Sequence, residues 1–262
     1  KTTGAKIRPM TAPTSPPNPI IGDQSNPPEF RTPTELRWFA SPVSYAEAWE
    51  LQMRLHHERA IGSRGNVVLL LEHHPVYTIG RRTLVSDWGG DSKAACVDGI
   101  DIQHVNRGGS VTYHGPGQLV VYPILRLTDH VRGVRAYVER LEEAVIQCLR
   151  EHGIAGQRKE KTPGVWVADP WEAKIASIGI RVDRGVTMHG IALNVDMDLS
   201  PFQEIIPCAL QGCRITSMAE VVNRPLSMMG VTHSLLNQLQ QMLALDWTGP
   251  PAPIEFRSLA GS

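Results

Sequence analysis

Apolar residues recur along this chain with two periods, and the places where the period changes mark out its elements. Ser44 stands as a helix N-cap with Glu47 three residues later, and Ala48, Leu51, Leu55 and Ala60 follow at helical intervals to about Ile61. Asn66-Val67-Val68-Leu69-Leu70-Leu71 is an unbroken apolar run and predicts a buried strand, which His73-His74-Pro75 ends. A second short strand is predicted at Val76-Tyr77-Thr78-Ile79-Gly80, a loop over 81–99, and strands over 100–105 and 119–125. Over 133–152 the stripe Val134, Tyr137, Val138, Leu141, Ala144, Val145 and Leu149 predicts a long helix that Gly153 closes. Strands follow over 164–167, 173–182 and 186–195. The last two are joined by Asp183-Arg184-Gly185, read as a three-residue hairpin connection. A helix over 230–245 is the last element. Strands grouped in hairpins with few helices predict an α+β fold rather than a doubly wound parallel one.

Residues 1–34 are rich in proline, serine and threonine and lack a periodic apolar stripe, so they cannot bury enough surface to offset ordering entropy. We read 1–34 as a flexible tail, 35–246 as the folded domain and 247–262 as a second tail. The residues ahead of Asp23 hold Lys1, Lys6 and Arg8 but no continuous apolar run, and do not read as a secretory signal.

Charge and composition exclude more than they assert. Lysine plus arginine and aspartate plus glutamate number 26 each, which leaves no basic footprint for nucleic acid. The run Arg158-Lys159-Glu160-Lys161 reads as a solvated loop. No apolar stretch approaches the roughly twenty residues of a membrane span. The four cysteines (Cys96, Cys148, Cys208, Cys213) form no C-x-x-C pair, which argues against a structural zinc site or a disulfide framework and for a reducing compartment.

The candidate chemistry begins in Arg107-Gly108-Gly109-Ser110-Val111-Thr112-Tyr113-His114-Gly115-Pro116-Gly117-Gln118. A hairpin needs one or two glycines, whereas this segment has two separate groups of them, a pattern suited to backbone closing around a ligand. It is neither a dinucleotide fingerprint nor a Walker loop, because the required spacings are absent. Lys174 lies at the start of the small-residue strand Ala173-Lys174-Ile175-Ala176-Ser177-Ile178-Gly179, and by itself reads as a solvent-facing strand end. His189-Gly190-Ile191-Ala192 places a histidine inside an apolar strand, which by itself reads as a core histidine. Cys208 follows Pro207 in a loop and is a better nucleophile candidate than Cys148 inside an apolar helix; a nearby cation would activate it. Spacing alone does not bring Lys174 and Cys208 together. His73, His74 and His114 have no spacing that fixes three metal ligands.

Taken in order, Glu72-His73-His74-Pro75-Val76-Tyr77-Thr78-Ile79-Gly80, the Arg107–Gln118 motif, Lys174-Ile175-Ala176-Ser177-Ile178-Gly179-Ile180-Arg181, His189-Gly190-Ile191-Ala192-Leu193-Asn194, Asp198-Leu199-Ser200-Pro201-Phe202 and Pro207-Cys208 resemble the lipoyl/octanoyl transferase family over about residues 36–245. The resemblance implies an α+β single domain with a central mixed sheet and flanking helices, similar to the catalytic core of biotin and lipoate protein ligases. It also implies transfer of an octanoyl group from octanoyl-acyl carrier protein to a lysine of a lipoyl domain, with no cofactor and no metal. Acceptors would be the lipoyl domains of 2-oxoacid dehydrogenases and the H protein of glycine cleavage.

Under that resemblance Cys208 would carry the acyl group as a thioester, while Lys174 would stabilise the thiolate and relay a proton. Substrate would be bound by Arg107, Gly108, Gly109, Ser110, Val111, Thr112, Tyr113, His114, Ser177, Ile178, Gly179, His189, Gly190, Ile191 and Ala192. Backbone N–H groups around Gly108, Gly109, Gly179 and Gly190 would line the acyl site. Ala209 departs from the glycine the family commonly has after the cysteine. The expected molecule is a monomer, in a bacterial cytoplasm or else a mitochondrial matrix. The alternative is an ATP-dependent lipoate or biotin protein ligase, which needs no loop cysteine paired with a strand lysine. Further rivals are a cysteine amidase or thioesterase and a carrier-binding or scaffold module without catalysis.

Overall fold

The computed structural model describes residues 31–81, 83, 96–97, 99–168, 171–206, 212–249 and 252–256. In chain order the elements are β1 (Thr32–Phe39), α1 (Tyr45–Ala60), β2 (Asn66–Leu71), β3 (Val76–Ile79), β4 (Cys96–Val97), β5 (Ile100–His104), β6 (Val111–His114) and β7 (Gln118–Ile124). There follow α2 (Val134–Glu151), β8 (Gly156–Lys159), β9 (Thr162–Val167), β10 (Ala173–Asp183), β11 (Val186–Asn194), α3 (Met218–Val222), α4 (Met228–Met242), β12 (Leu245–Trp247) and β13 (Pro253–Ile254).

The large sheet runs β12-β1-β2-β7-β11-β10-β9-β8, with β13 also on β1. It is mixed: β1 pairs in parallel with β2 and β12, and the run from β2 to β8 is antiparallel. Its strands alternate side chains between two cores, as a period of two requires. Val68 and Leu70 of β2 face Leu141, Val145 and Leu149 of α2 and Leu235 and Leu239 of α4. Val67, Leu69 and Leu71 face Ala48, Leu51 and Leu55 of α1. Both faces of β2 are therefore covered, which explains its unbroken apolar run. Truncating one of these fully buried leucines to alanine costs about 2–5 kcal/mol.

A smaller sheet, β4-β5-β3-β6, lies beside this one and joins it through the turn Gly115-Pro116-Gly117 between β6 and β7. The turn is held at Gly117, whose N–H donates to Glu72 Oε2 at 2.6 Å and whose carbonyl accepts from Val195 and Asp196.

Strong local signals carry through to the fold. Ser44 Oγ accepts from Glu47 N–H at 3.2 Å and caps α1. After α2, Gly153 takes φ +78° and Ile154 N–H returns to Leu149 O. The β10–β11 connection is one residue shorter than the sequence suggests. Asp183 pairs with Val186, and Arg184 and Gly185 both take positive φ, as a two-residue type I′ turn requires.

Other elements differ from the sequence expectation. β1 starts at Thr32, ahead of Glu35, because Thr32–Thr34 pair with Leu245–Trp247. Pro253 and Ile254, inside the expected loose tail, pair with Trp38 and Phe39. Arg158 and Lys159 sit on edge strand β8 rather than in a free loop. Within the Gly-rich segment, residues 111–114 are a strand because β3 offers them an antiparallel partner. Most of the expected loop over 81–99 lies outside the described residues.

Candidate active site

A cleft of about 720 Å³ opens where the Gly-rich segment meets β10 and β11. It is lined by residues 107–112 and 114, by 177–182 of β10, by 189–192 of β11, and by Tyr45, Arg81, Tyr122, Val134, Val138, residues 161–163 and Lys174. All but one of the substrate-binding residues expected from the sequence therefore converge here. The exception is Tyr113. Alternation along β6 sends its ring away from the cleft, 5.5 Å from Tyr77 and 5.5 Å from Phe202.

Arg107 lines the cleft, but its guanidinium is directed into the protein. Nη1 donates to Ser110 O at 2.7 Å and Gly108 O at 3.0 Å, and Nη2 donates to Thr78 O at 2.7 Å and Thr78 Oγ1 at 2.8 Å. The planar fork of arginine suits this multiple grip, which ties the segment to β3. Gly108 N–H donates to Ile180 O at 3.1 Å and ties the same segment to β10. That N–H is thus committed and does not serve as an oxyanion donor. Gly190 is also structural: a Cβ there would lie 2.2 Å from Val121 O, so only glycine lets β11 approach β7 at this point.

Three histidines are buried around the inner part of the site, and all are held neutral. His73 Nδ1–H donates to Val43 O at 2.9 Å, which leaves Nε2 to accept from Tyr122 Oη–H at 2.8 Å. Burial pushes its pKa down to about 4 against the opposing hydrogen bond to Val43. His114 Nδ1 donates to Gln118 Oε1 at 2.7 Å, and burial with the neighbouring His73 drives it well below the usual histidine range. In His189 burial, reinforced by Arg107 and Arg181, lowers the value to about 3. Its ring Nε2 donates to Asn106 Oδ1 at 2.9 Å, and its backbone N–H donates to Gln52 Oε1 at 2.9 Å. His189 takes φ +56° inside a strand, a strained conformation that these two bonds fix. Tyr45 beside them is pushed up to about 12 by burial.

Gln52 and Asn106 escape a reading by motif. The signal for the first is a glutamine inside the apolar stripe of α1, between Ala48 and Leu55. Gln118 Nε2 donates onward to Asn194 Oδ1 at 2.9 Å, and Asn194 Nδ2 to Thr216 O at 2.9 Å. Two polar residues of the sequence motifs thereby fix the chain after residue 212.

Lys174 is only 3 % exposed, unlike the solvent-facing strand end its local sequence suggests. Its Nζ donates to Pro163 O at 2.9 Å and lies 5.7 Å from the centroid of the Trp166 ring. Room for it is made by Gly164, which takes φ +122°; a Cβ there would come within 2.6 Å of Lys174 Cε. The register of β9 against β10 shifts between Lys174 and Ala176, a bulge that re-aims side chains at this position. The main chain of Lys174 also pairs with the segment that follows residue 211: its N–H donates to Arg214 O at 2.8 Å and its carbonyl accepts from Thr216 N–H at 3.0 Å. Cys208 and Ala209 lie outside the described residues. Cys148 is buried in α2, with its thiol pushed up to about 12 by burial, and is no nucleophile at neutral pH.

Residues 44–240 match the family of the lipoyl protein ligase A/B catalytic domain. A protein from Syntrophotalea carbinolica named octanoyltransferase is 43% identical over 201 residues, covering 77% of this chain and 90% of its own. Proteins of the same name from Thermobifida fusca and Salinispora arenicola are 41% and 46% identical, over 78% and 72% of this chain and 86% of each of theirs. Among solved structures, a bipartite lipoate protein ligase from Thermoplasma acidophilum superposes with a TM-score of 0.62 at 17% identity, covering 84% of this chain and 87% of that one. At that identity the likeness establishes the α+β fold with its mixed central sheet.

Proposed function

This chain belongs to the lipoyl protein ligase A/B catalytic-domain family, and from that premise we propose that it moves an octanoyl group from octanoyl-acyl carrier protein to a lipoyl-domain lysine through a thioester on Cys208. The observation that carries the chemistry is Lys174, a buried ammonium at the edge of an apolar cleft, on the strand to which the segment after residue 211 is bonded.

The cleft suits the donor. Ile178, Ile180, Val182, Ile191 and Val138 offer an apolar lining, worth about 0.8 kcal/mol per buried methylene of the acyl chain. Its charged lining residues are Arg81, Arg107, Lys161, Lys174 and Arg181, with no carboxylate among the described ones, in a chain of zero net charge. That bias favours an anionic ligand such as the phosphodiester of a carrier's pantetheine arm. The histidines, being neutral, add hydrogen-bonding groups rather than charge. No helix among the described residues is long and apolar enough to cross a membrane.

The reaction runs in two displacements. Cys208 thiolate attacks the carbonyl carbon of the octanoyl thioester, with Lys174 as ammonium stabilising the thiolate; the carrier's sulfur leaves and takes its proton from Lys174, which is left as the neutral amine. The ε-amine of the acceptor lysine then attacks the new thioester, Cys208 leaves as thiolate, and the surplus proton of the amine passes to Lys174. Exchange between thioesters is nearly isoenergetic and aminolysis runs downhill, so no ATP is consumed. Such chemistry belongs beside fatty-acid synthesis, in a bacterial cytoplasm or a mitochondrial matrix.

Intact-mass measurement after mixing with octanoyl-acyl carrier protein, without ATP, tests this reading. The expected result is one octanoyl increment, absent from Cys208→Ala and discharged by a lipoyl domain. Loading that requires ATP and free octanoate would overturn the transferase and point to a ligase.

A further inference from the structure

One carboxylate on the apolar face of α2 is out of place by composition alone. Glu142 lies beside Leu141 and one turn from Val138 and Val145, all on the stripe that faces the sheet, and is only 6 % exposed. Burying a carboxylate is costly unless charged and hydrogen-bonding partners surround it. Here one oxygen, Oε2, accepts from Arg158 Nε of β8 at 3.2 Å. The other, Oε1, accepts from Gly164 N–H at 3.0 Å.

Gly164 N–H and Pro163 C=O are the two ends of one peptide unit, and Pro163 O is the acceptor for Lys174 Nζ at 2.9 Å. A carboxylate on the N–H side polarises the peptide and makes its carbonyl oxygen a stronger acceptor, since the peptide dipole points that way and hydrogen bonds in series reinforce one another. Arginine, carboxylate, peptide and ammonium thus alternate in sign from the surface inward. Gly164 also makes the space that Lys174 occupies, so the same contact sets position and field together.

We infer that Glu142 is the positioning residue for Lys174, aiming the Pro163 carbonyl at its ammonium and stabilising the charged form through that peptide. The inference rests on the reading of Lys174 as the catalytic partner of Cys208. Other charged groups around this corner are Glu143 of α2, which pairs with Arg158; Lys159 of β8, over the far reach of Trp166 and paired with Glu172; Lys161 in the β8–β9 turn; and Arg214, stacked on Trp171 and paired with Glu220. Across the cleft stand Arg107, Arg181, His114 and His189. Cys208 lies outside the described residues. Glu142 is the carboxylate that accepts from the N–H of the peptide whose carbonyl takes the Lys174 ammonium.

The test is the pH dependence of cysteine acylation by octanoyl-acyl carrier protein, with kcat and KM measured on the full chain. The basic limb follows loss of the Lys174 ammonium. Glu142→Gln keeps a hydrogen-bond acceptor but removes the charge, and moves that limb to lower pH by about half a unit or more. Arg158→Gln, on a side chain 41% exposed, removes the cation that offsets Glu142 and moves the limb to higher pH. Glu142→Leu removes both charge and acceptor and lowers kcat about ten- to a hundredfold with KM held within about twofold.

Opposite displacements in the two charge variants support the inference, because a merely structural role lowers the folded fraction without moving the limb. Limbs that stay in place, or move together, overturn it; should Glu142→Gln fail to fold, the Arg158→Gln limb decides alone. Lys174→Met is the separate control. If it acylates at the wild-type rate, the underlying reading of Lys174 fails, whereas loss of acylation there with unmoved limbs elsewhere overturns the Glu142 inference only.

Discussion

Two buried cations line the same cleft, Arg107 at 7 % exposure and Lys174 at 3 %, and each is held by main-chain carbonyl oxygen. Their surroundings make them different instruments. Arg107 grips Gly108, Ser110 and Thr78 at once with a rigid fork that stays protonated, and so fixes the shape of a wall. Lys174 ends a flexible stem in a point charge held at the carbonyl of Pro163, in space that Gly164 leaves open. Burial and charge sign are shared; what separates the two is a rigid fork gripping several carbonyls at once against a single point charge on a flexible stem.

The sharpest way to break this contrast is Lys174→Met. It is expected to slow formation of the acyl-enzyme about a thousandfold while leaving a folded protein, as timed mass measurement of the thioester would record. A loss below tenfold would make Lys174 another wall residue. Arg107→Met is the counterpart in stability. With Thr78 O and Ser110 O deprived of their donor, it is expected to cost about 3 kcal/mol. In a domain of this size that lowers the thermal midpoint by about 6–12 °C. An unchanged midpoint with a raised KM would instead show Arg107 to be a ligand contact.

A smaller effect is expected of Gly164→Ala, whose methyl meets Lys174 Cε and Ala176 O in a backbone conformation that disfavours alanine. Steady-state kinetics should show kcat down about tenfold with little change in KM. Acid probes the same surroundings without a substitution. His73 and His189 titrate at about 4 and about 3 when folded but near 6.5 when unfolded, and His114 is likewise depressed. The unfolded chain therefore binds protons that the native state refuses. Their neutral burial costs nothing above about pH 6.5, and stability falls as pH drops toward the folded values, by about 1.4 kcal/mol per pH unit for each histidine. Denaturant unfolding between pH 7 and pH 5 measures the slope.

Elements with strong local signals are legible in the sequence. Ser44 and Glu47 announce α1, the run 66–71 announces a buried strand, and Asp183-Arg184-Gly185 announces a hairpin, with a connection one residue longer than the turn that forms. Elements that exist only through pairing are not. β8 is Gly156-Gln157-Arg158-Lys159, with no apolar alternation, and is a strand because β9 lies beside it. β1 reaches back to Thr32 because Leu245–Trp247 run parallel to it, and such long-range registration leaves no local mark.

The candidate site divides in the same way. Ordered motifs name the residues that gather at the cleft, because each motif's glycines and polar groups sit in short contiguous stretches. Tyr113 belongs to its motif but not to the cleft, since a motif does not say which face of a strand its members share until the strand has a partner. Chain composition and local order alone set the zero net charge, the helices with their caps, the apolar strands and the motifs that mark the family. Only the tertiary structure decided that Lys174 is buried rather than exposed, that Arg107 points inward, and that Glu142, 32 residues before Lys174 in the chain, stands one peptide unit away from its ammonium. The physical reason is that propensity and hydrophobic burial are written locally along the chain, whereas the environment of a charge is the sum over whatever distant segments folding brings to its side.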